Sequence, residues 1–492
     1  MPPAIPQGTA AKVEPRRPGA LRAWLIFLAA LLVLVVVHRD RLMNPTGWDP
    51  TWGMVPAAAT LAETGGDLAA VIDQPSLWEG GANAHATSTM TWLVAAVFRV
   101  LGADDGLLLL HLLSLVFAAG LSTAAFCLLS PAVSLPTALL GSALVLATPL
   151  ALQQAADVYI DLPLALVATL AMVTASRHQA IPTALLVLLA VSLKSSGVMT
   201  VPLLIPAFEN LAPRGRRWGL TMLAAGLAVV PLLAAVVTAP AGGSGARRID
   251  IPLTLSGIYL AITIDVLALA LVAGLATFRP RSLPKPASAV RRVSLSLVAG
   301  FVAAHLGALI LTASYPVLPR YYLVIVPALV GLVSVGLEAR RPLEARAVLA
   351  AFLAFAVANS WGALYPLRDP PAYVATERSL RAQDLIDLAQ QGASWLSEQE
   401  DRTLVVDRPM WFRLRYPESG YVDRREDDLV MAFQIGDPPP IPDRFALVIE
   451  QDPRHAPALE EVVDLARESG FTLVEREIAS GPFRSRLVTG DR

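Results

Sequence analysis

The chain is poor in the residues that most function classes need. A single cysteine in 492 residues, Cys127, excludes an internal disulfide framework and any thiolate metal cluster; set in an apolar run, it reads as a small hydrophobe. Charge is scarce at 16%, and its 39 basic and 40 acidic residues nearly cancel, so no global basic field points to nucleic acid. The histidines, among them His38, His85, His111 and His305, have no paired metal-ligand spacing. A glycine-rich phosphate loop, a Ser/His/Asp arrangement and internal repeats are also lacking.

What fills the chain instead is apolar sequence, 55% of it, in runs long enough to cross a bilayer, which takes about 20 residues. This composition predicts a polytopic α-helical membrane protein. Lys12, Arg16 and Arg17 precede the run Leu21–Val37, and no small-x-small site follows at His38-Arg39-Asp40-Arg41, so the run reads as an uncleaved first span behind a cytoplasmic tail, residues 1–20. Further spans are expected near Gly106–Leu129, Leu135–Leu150, Leu162–Ser176, Ile181–Leu193, Val198–Phe208, Trp218–Thr238, Gly257–Phe278, Val293–Ala313, Tyr321–Leu337 and Ala347–Trp361, about eleven with the first.

Two stretches decide the parity. Thr87–Leu101 is apolar but short, and Ile181–Phe208 is either one long span or two broken at Lys194-Ser195-Ser196-Gly197. Laying the first along the outer surface and folding the second as a hairpin puts Arg177 and the clusters Arg214/Arg216/Arg217, Arg279/Arg281/Lys285/Arg291/Arg292 and Arg340/Arg341/Arg346 in the cytoplasm, as the positive-inside rule asks. Only Arg39/Arg41 and Arg247/Arg248 then lie outside. Changing both assignments together would largely restore the pattern, so relative parity is better fixed than absolute detail. With this parity Asp49, Asp157, Asp161, Lys194 and the segment Tyr315–Tyr322 share the non-cytoplasmic side.

The region 21–367 is therefore expected to be membrane-embedded, with an outer loop at 38–105, and 368–492 to form a small extracytoplasmic α/β domain of about 120 residues. Its elements are expected at Glu377–Gln399 (helix), Thr403–Asp407, Phe445–Glu450 and Phe471–Ile478 (strands) and Ala458–Glu468 (amphipathic helix ending at Gly470). Arg413, Arg415, Arg424 and Arg425 read as a solvated face.

Isolated charges at a membrane boundary invite a functional reading. Asp49 stands between Trp48 and Trp52, ahead of a helix-like stretch Val55–Glu63; it would serve as a base for a hydroxyl acceptor or as ligand to a divalent ion, with helix capping as the alternative. Asp157 and Asp161 are four apart and would share a face if the region is helical, although Asp161 has the alternative of capping the helix that opens at Leu162-Pro163. Lys194, beside Ser195 and Ser196, would bind phosphate as a point charge or snorkel at a helix end. Arg320, within Tyr315-Pro316-Val317-Leu318-Pro319-Arg320-Tyr321-Tyr322, would clamp a phosphate, with interfacial anchoring as its alternative. Glu79 and His85, in Trp78-Glu79-Gly80-Gly81-Ala82-Asn83-Ala84-His85, are further candidates in the same outer loop.

In this order and on this common side, the segments Asp49–Gly65, Thr87–Gly102, Asp157–Pro163, Leu193–Gly197 and Pro319–Tyr321 resemble the GT-C superfamily of polyprenyl-phosphate-dependent glycosyltransferases, in particular its protein O-mannosyltransferase and lipid A aminoarabinose transferase branch. Where many relatives carry an acidic pair in the first loop, Pro50 follows Asp49 here. The resemblance implies transfer of a hexosyl or pentosyl group from a polyprenyl-phosphate-linked donor to a lipid, glycan or protein acceptor at the outer face of the cell membrane. Asp49 would activate the acceptor, with Asp157 and Asp161 as further catalytic carboxylates, and Lys194, Arg320 and Tyr321 would hold the donor phosphate. A divalent cation, Mg or Mn, is the cofactor it leaves open, with Asp49 and Asp157 as ligands. A transporter or flippase is the alternative class; its inverted repeats are not found.

Overall fold

The computed structural model describes residues 19–47, 50–73, 88–209, 323–338, 341–360, 382–432, 441–450, 456–481 and 483–492, with a few positions between 223 and 297. Three helices among them are long and apolar enough to span a membrane, Ala20–Arg41, Ala103–Leu129 and Pro342–Ser360. A fourth span arises if Leu135–Ala147 and Pro149–Ala155, bent by 60° at their junction, count as one. The expected spans Trp218–Thr238 and Gly257–Phe278 and most of Val293–Ala313 lie outside the described residues, so the expected total of about eleven extends beyond what is described.

Helix Ala103–Leu129 is the centre of the membrane region. It packs against Ala20–His38, Leu135–Ala147 and Asp161–Ser176, and its facing residues Leu110, Leu115, Ala118, Leu121 and Ala125 are buried. Small residues let these helices approach closely: Ser122 and Ser142 face each other with hydroxyl oxygens 2.9 Å apart, and each hydroxyl donates to the other's carbonyl. The expected run Leu135–Leu150 is broken because Thr148 takes extended backbone and Pro149 opens a new helix.

The hairpin expected at Lys194–Gly197 is present. Helix Ala180–Leu193 ends at Lys194, whose backbone is extended, and a 3-10 stretch Ser195–Leu203 runs back along it into Leu204–Ala207. The return is complete, because His178 Nδ1 lies 2.9 Å from the carbonyl of Pro206 and so donates to it, tying the two open ends together. The reversal needs Gly197: a Cβ there would lie 2.0 Å from the carbonyl oxygen of Ala190.

The outer-loop helices Val55–Glu63 and Thr89–Leu101 pack on one another, and the latter, at 13 residues, is too short to span. Ser88 caps it and also donates to the carbonyl of Leu193 at 2.5 Å, while Thr89 donates to Ser192 at 2.9 Å. The loop is thereby pinned beside the turn that carries Lys194.

The C-terminal part is a five-stranded sheet in the order β2-β1-β3-β5-β4, with β1 (Thr403–Val406), β2 (Leu429–Met431), β3 (Arg444–Glu450), β4 (Thr472–Ser480) and β5 (Phe483–Asp491). β1 runs parallel to β2 and β3, whereas β5 is antiparallel to both β3 and β4. The two-residue period of the strands divides the core. Leu404, Val406, Ala446 and Val448 face the helices Ala382–Ser397 and Arg408–Arg415, while Val405, Phe445, Leu447 and Ile449 face Ala456–Glu468. Covered on both sides, β3 reads as a continuous apolar run. Strands β2 and β5 and the helix Arg408–Arg415 were not expected from the sequence.

This helix also corrects the reading of its arginines. Arg413 is buried and ion-paired with Glu450, because the helix lies between the sheet and the membrane region rather than facing solvent. Arg415 is mostly covered and pairs with Asp427; Arg424 and Arg425 alone keep solvated character.

Candidate active site

The structure brings the first outer loop onto the turn that holds Asp157. The chain leaves the first span through Asn44, Pro45, Thr46 and Gly47, and the backbone N–H of Gly47 donates to Asp157 Oδ2 at 2.8 Å. The other oxygen of Asp157 accepts from the N–H of Val158 at 2.7 Å. The residue is 2% exposed, and its carboxylate is held by these two backbone N–H groups. Glycine at 47 is demanded by this approach, since a Cβ would stand 2.0 Å from Asp157 Oδ2.

Thr51 ties off the same bend. Its hydroxyl lies 2.9 Å from the carbonyl of Thr46 and 2.7 Å from that of Gly47, and its N–H donates to the latter at 3.1 Å. The bend spans the position of Asp49. Trp48 and Asp49 themselves lie outside the described residues, as do Glu79, His85, Arg320 and Tyr321.

Asp161 and Lys194 meet. Lys194 Nζ donates to Asp161 Oδ1 at 2.7 Å, with side-chain exposures of 17% and 4%. Asp161 is the first residue of helix Asp161–Ser176, whose N-cap position falls on Ile160, and its carboxylate holds the ammonium of Lys194. The shared helical face for Asp157 and Asp161 is also corrected: residues 157–160 form a turn, and the helix begins only at Asp161. The two carboxylates take separate partners, one the loop backbone and the other the ammonium.

No three His, Cys, Asp or Glu side chains among the described residues gather as a metal site; of the two expected ligands, Asp157 accepts backbone N–H groups at both oxygens and Asp49 lies outside the described residues.

Sequence reasoning missed a third contributor, the C-terminal domain. The one-turn segment Pro417–Ser419 and the following Gly420 and Tyr421 reach the loop: Thr46 N–H donates to the carbonyl of Ser419 at 2.9 Å, and Tyr421 hydroxyl donates to the carbonyl of Thr46 at 2.9 Å. Burial pushes the Tyr421 phenol up to about 12, against the lowering effect of the Arg413 guanidinium and with Asp157 adding to the rise. Arg413 sits 5.1 Å from the Tyr421 ring centroid; burial alone would lower its pKa, but Glu450, Tyr421 and Asp407 together more than offset this and raise it above its ordinary value. The signal in the sequence was Tyr416-Pro417-Glu418-Ser419-Gly420-Tyr421, a Pro/Ser/Gly turn between two tyrosines.

Deeper in the same corner, His111 lies 1% exposed with Nε2 3.0 Å from the carbonyl of Asn44; a carbonyl only accepts, so Nε2 carries the proton. The residue steadies the chain where it leaves the first span.

Known structures share this architecture. ArnT from Cupriavidus metallidurans, in a crystal structure with undecaprenyl phosphate bound, matches with a TM-score of 0.50 at 14% identity, over 95% of this chain and 98% of that one. The apo crystal structure of the same protein matches with a TM-score of 0.47 at 15% identity, over 96% and 98%. No protein-family model and no curated protein matches the chain. The chain thus shares the fold of that protein, a lipid A aminoarabinose transferase-type structure of the kind expected from its sequence, over 95% of its length.

Proposed function

We propose that this chain is a membrane glycosyltransferase that takes a sugar from a polyprenyl-phosphate-linked donor and passes it to an acceptor at the extracytoplasmic face. The observation that carries the reading is the convergence of three segments distant in sequence: the loop flanking Asp49, the turn of Asp157, and the pair Asp161–Lys194. They meet at one end of a helical bundle whose fold is that of a protein crystallised with undecaprenyl phosphate.

In this reading Asp49 is the base. It takes the proton of the acceptor hydroxyl or amine as that atom bonds to the anomeric carbon, the bond from that carbon to the phosphate oxygen breaks, and the polyprenyl phosphate leaves with the electron pair. The anomeric configuration inverts. Negative charge grows on the phosphate, and a fixed cation acts where charge develops, the kind of contribution that usually dominates such a barrier. Lys194 supplies it, held in place by Asp161, and Arg320 and Tyr321 complete the clamp. Asp157, expected as a further catalytic carboxylate, accepts backbone N–H groups at both oxygens and in this reading also shapes the loop that presents Asp49.

The test is sugar transfer by the purified chain in lipid nanodiscs with a polyprenyl-phosphate-linked donor. Asp49→Asn keeps size and capping ability but loses the base, so turnover should fall about 10²- to 10⁴-fold with the melting temperature unchanged. Wild-type turnover in that variant would remove Asp49 from the mechanism.

A further inference from the structure

We infer that the C-terminal domain is a working part of the catalytic site: its turn Pro417–Tyr421 fixes the loop that presents Asp49, and Tyr421 is the positioning residue. The inference rests on the reading of Asp49 given above and extends it to a part of the chain that holds none of the reacting groups.

The contact is directed at one residue. Both backbone groups of Thr46 are taken by the turn, the N–H by Ser419 and the carbonyl by the Tyr421 hydroxyl. Thr46 and Ser419 are 0% exposed and Tyr421 4%, so water cannot replace either bond; without Ser419 the Thr46 N–H is stranded, and without the Tyr421 hydroxyl the Thr46 carbonyl is left to Thr51, within its own loop, and the link to the domain is lost. The next N–H along the chain, that of Gly47, goes to Asp157. Loop, turn and carboxylate form one continuous chain of hydrogen bonds that ends two residues before Asp49.

The turn is itself immobilised. Gly420 has φ +81°, and a Cβ on it would meet Leu107 Cδ2 at 2.7 Å and Pro45 Cα at 3.2 Å, so the backbone approaches the loop more closely than any other residue would allow. Arg413 packs against the ring of Tyr421 and is anchored by Glu450. Helix Arg408–Arg415 buries Phe412, with Tyr416 stacked on it at 6.2 Å, in the core of the membrane region. A contact serving attachment alone looks different, and the same interface has one: Arg425 and Glu63, 3.7 Å apart and both partly solvated, join the domain to the far end of helix Val55–Glu63.

Tyr421→Phe removes one hydroxyl and leaves the packing. The full chain in nanodiscs is read in two ways, by hydrogen exchange of the backbone amides of residues 44–53 and by transfer kinetics with a polyprenyl-phosphate-linked donor. Exchange in that segment should rise about tenfold and kcat should fall about ten- to a hundredfold, with the KM for donor within twofold and the melting temperature near wild type. Arg425→Ala should leave exchange and kcat unchanged. Unaltered exchange in Tyr421→Phe, unaltered kcat despite faster exchange, or an equal loss in Arg425→Ala would each overturn the inference. A wild-type chain without transferase activity would instead sink the proposed function, and exchange in the loop would still decide whether the turn fastens it.

Discussion

Lys194 invites a substitution whose simplest form misleads. Its ammonium is 2.7 Å from a carboxylate whose side chain is only 4% exposed, and at that separation an effective dielectric of about 20 gives a gross attraction of about 6 kcal/mol. Removing one partner strands the other, which in buried pairs costs about 3 to 5 kcal/mol; the 17% exposure of Lys194 places this pair near the lower end. Lys194→Met should therefore lose about 3 kcal/mol of stability and with it activity, whatever the lysine does for substrate. The double variant Lys194→Met/Asp161→Leu removes both charges and should return to within about 1 kcal/mol of wild type, a coupling of about 2 kcal/mol or more. Unfolding in mixed detergent micelles measures stability, and titration with polyprenyl phosphate measures binding. If Lys194 also holds the phosphate, the stable double variant binds about 10- to 150-fold more weakly, the loss of one charge-assisted contact of about 1.5 to 3 kcal/mol. A double variant as unstable as the single one would refute the pair argument. One that is stable and binds like wild type would assign Lys194 to structure alone.

Three other outcomes are expected. Gly197→Ala forces a Cβ against the carbonyl of Ala190, so the Lys194 hairpin should open and the yield of folded protein, read by size-exclusion chromatography in detergent, should fall sharply; normal yield and melting would contradict the reversal. Burial raises the pKa of Glu418 above 4.5, so the folded form holds its proton longer than the unfolded one, and docking stability should be greatest below that pH and fall as pH rises through the raised value; Glu418→Gln should abolish this slope in melting temperature measured from pH 4 to 7. A reporter active only in the cytoplasm, fused after Arg492, should stay silent, and strong signal would reverse the assigned sidedness.

The legible parts of this fold were those governed by local composition. Hydropathy placed the ends of Ala103–Leu129 and Asp161–Ser176 to within a few residues, and the polar break Lys194–Gly197 in an apolar run gave the hairpin. Short apolar runs located β1 and β3. What escaped was set by partners far along the chain. Arg413 looked solvated because Glu450, 37 residues on, is invisible as a neighbour in sequence, and β5 was missed because Arg484 and Arg486 sit on it as charges satisfied by Glu477, Glu460 and Glu475. The candidate site followed the same division. Asp157, Asp161 and Lys194 stood out as charges in apolar surroundings, but their pairing, and the diversion of Asp157 to the backbone of Gly47, depend on how two turns meet in space.

The bond between Tyr421 and Thr46 joins residues 375 positions apart, and this fixes when the protein becomes competent. Thr46 leaves the ribosome long before Tyr421. Such a contact closes late, after the helices between have been inserted and the final sheet has folded. A chain whose synthesis has reached only Arg320 holds Asp157, Asp161 and Lys194 and yet lacks the clasp that sets its loop. On the proposed function, transfer therefore waits for the C-terminal domain, and a half-made chain in the membrane stays idle.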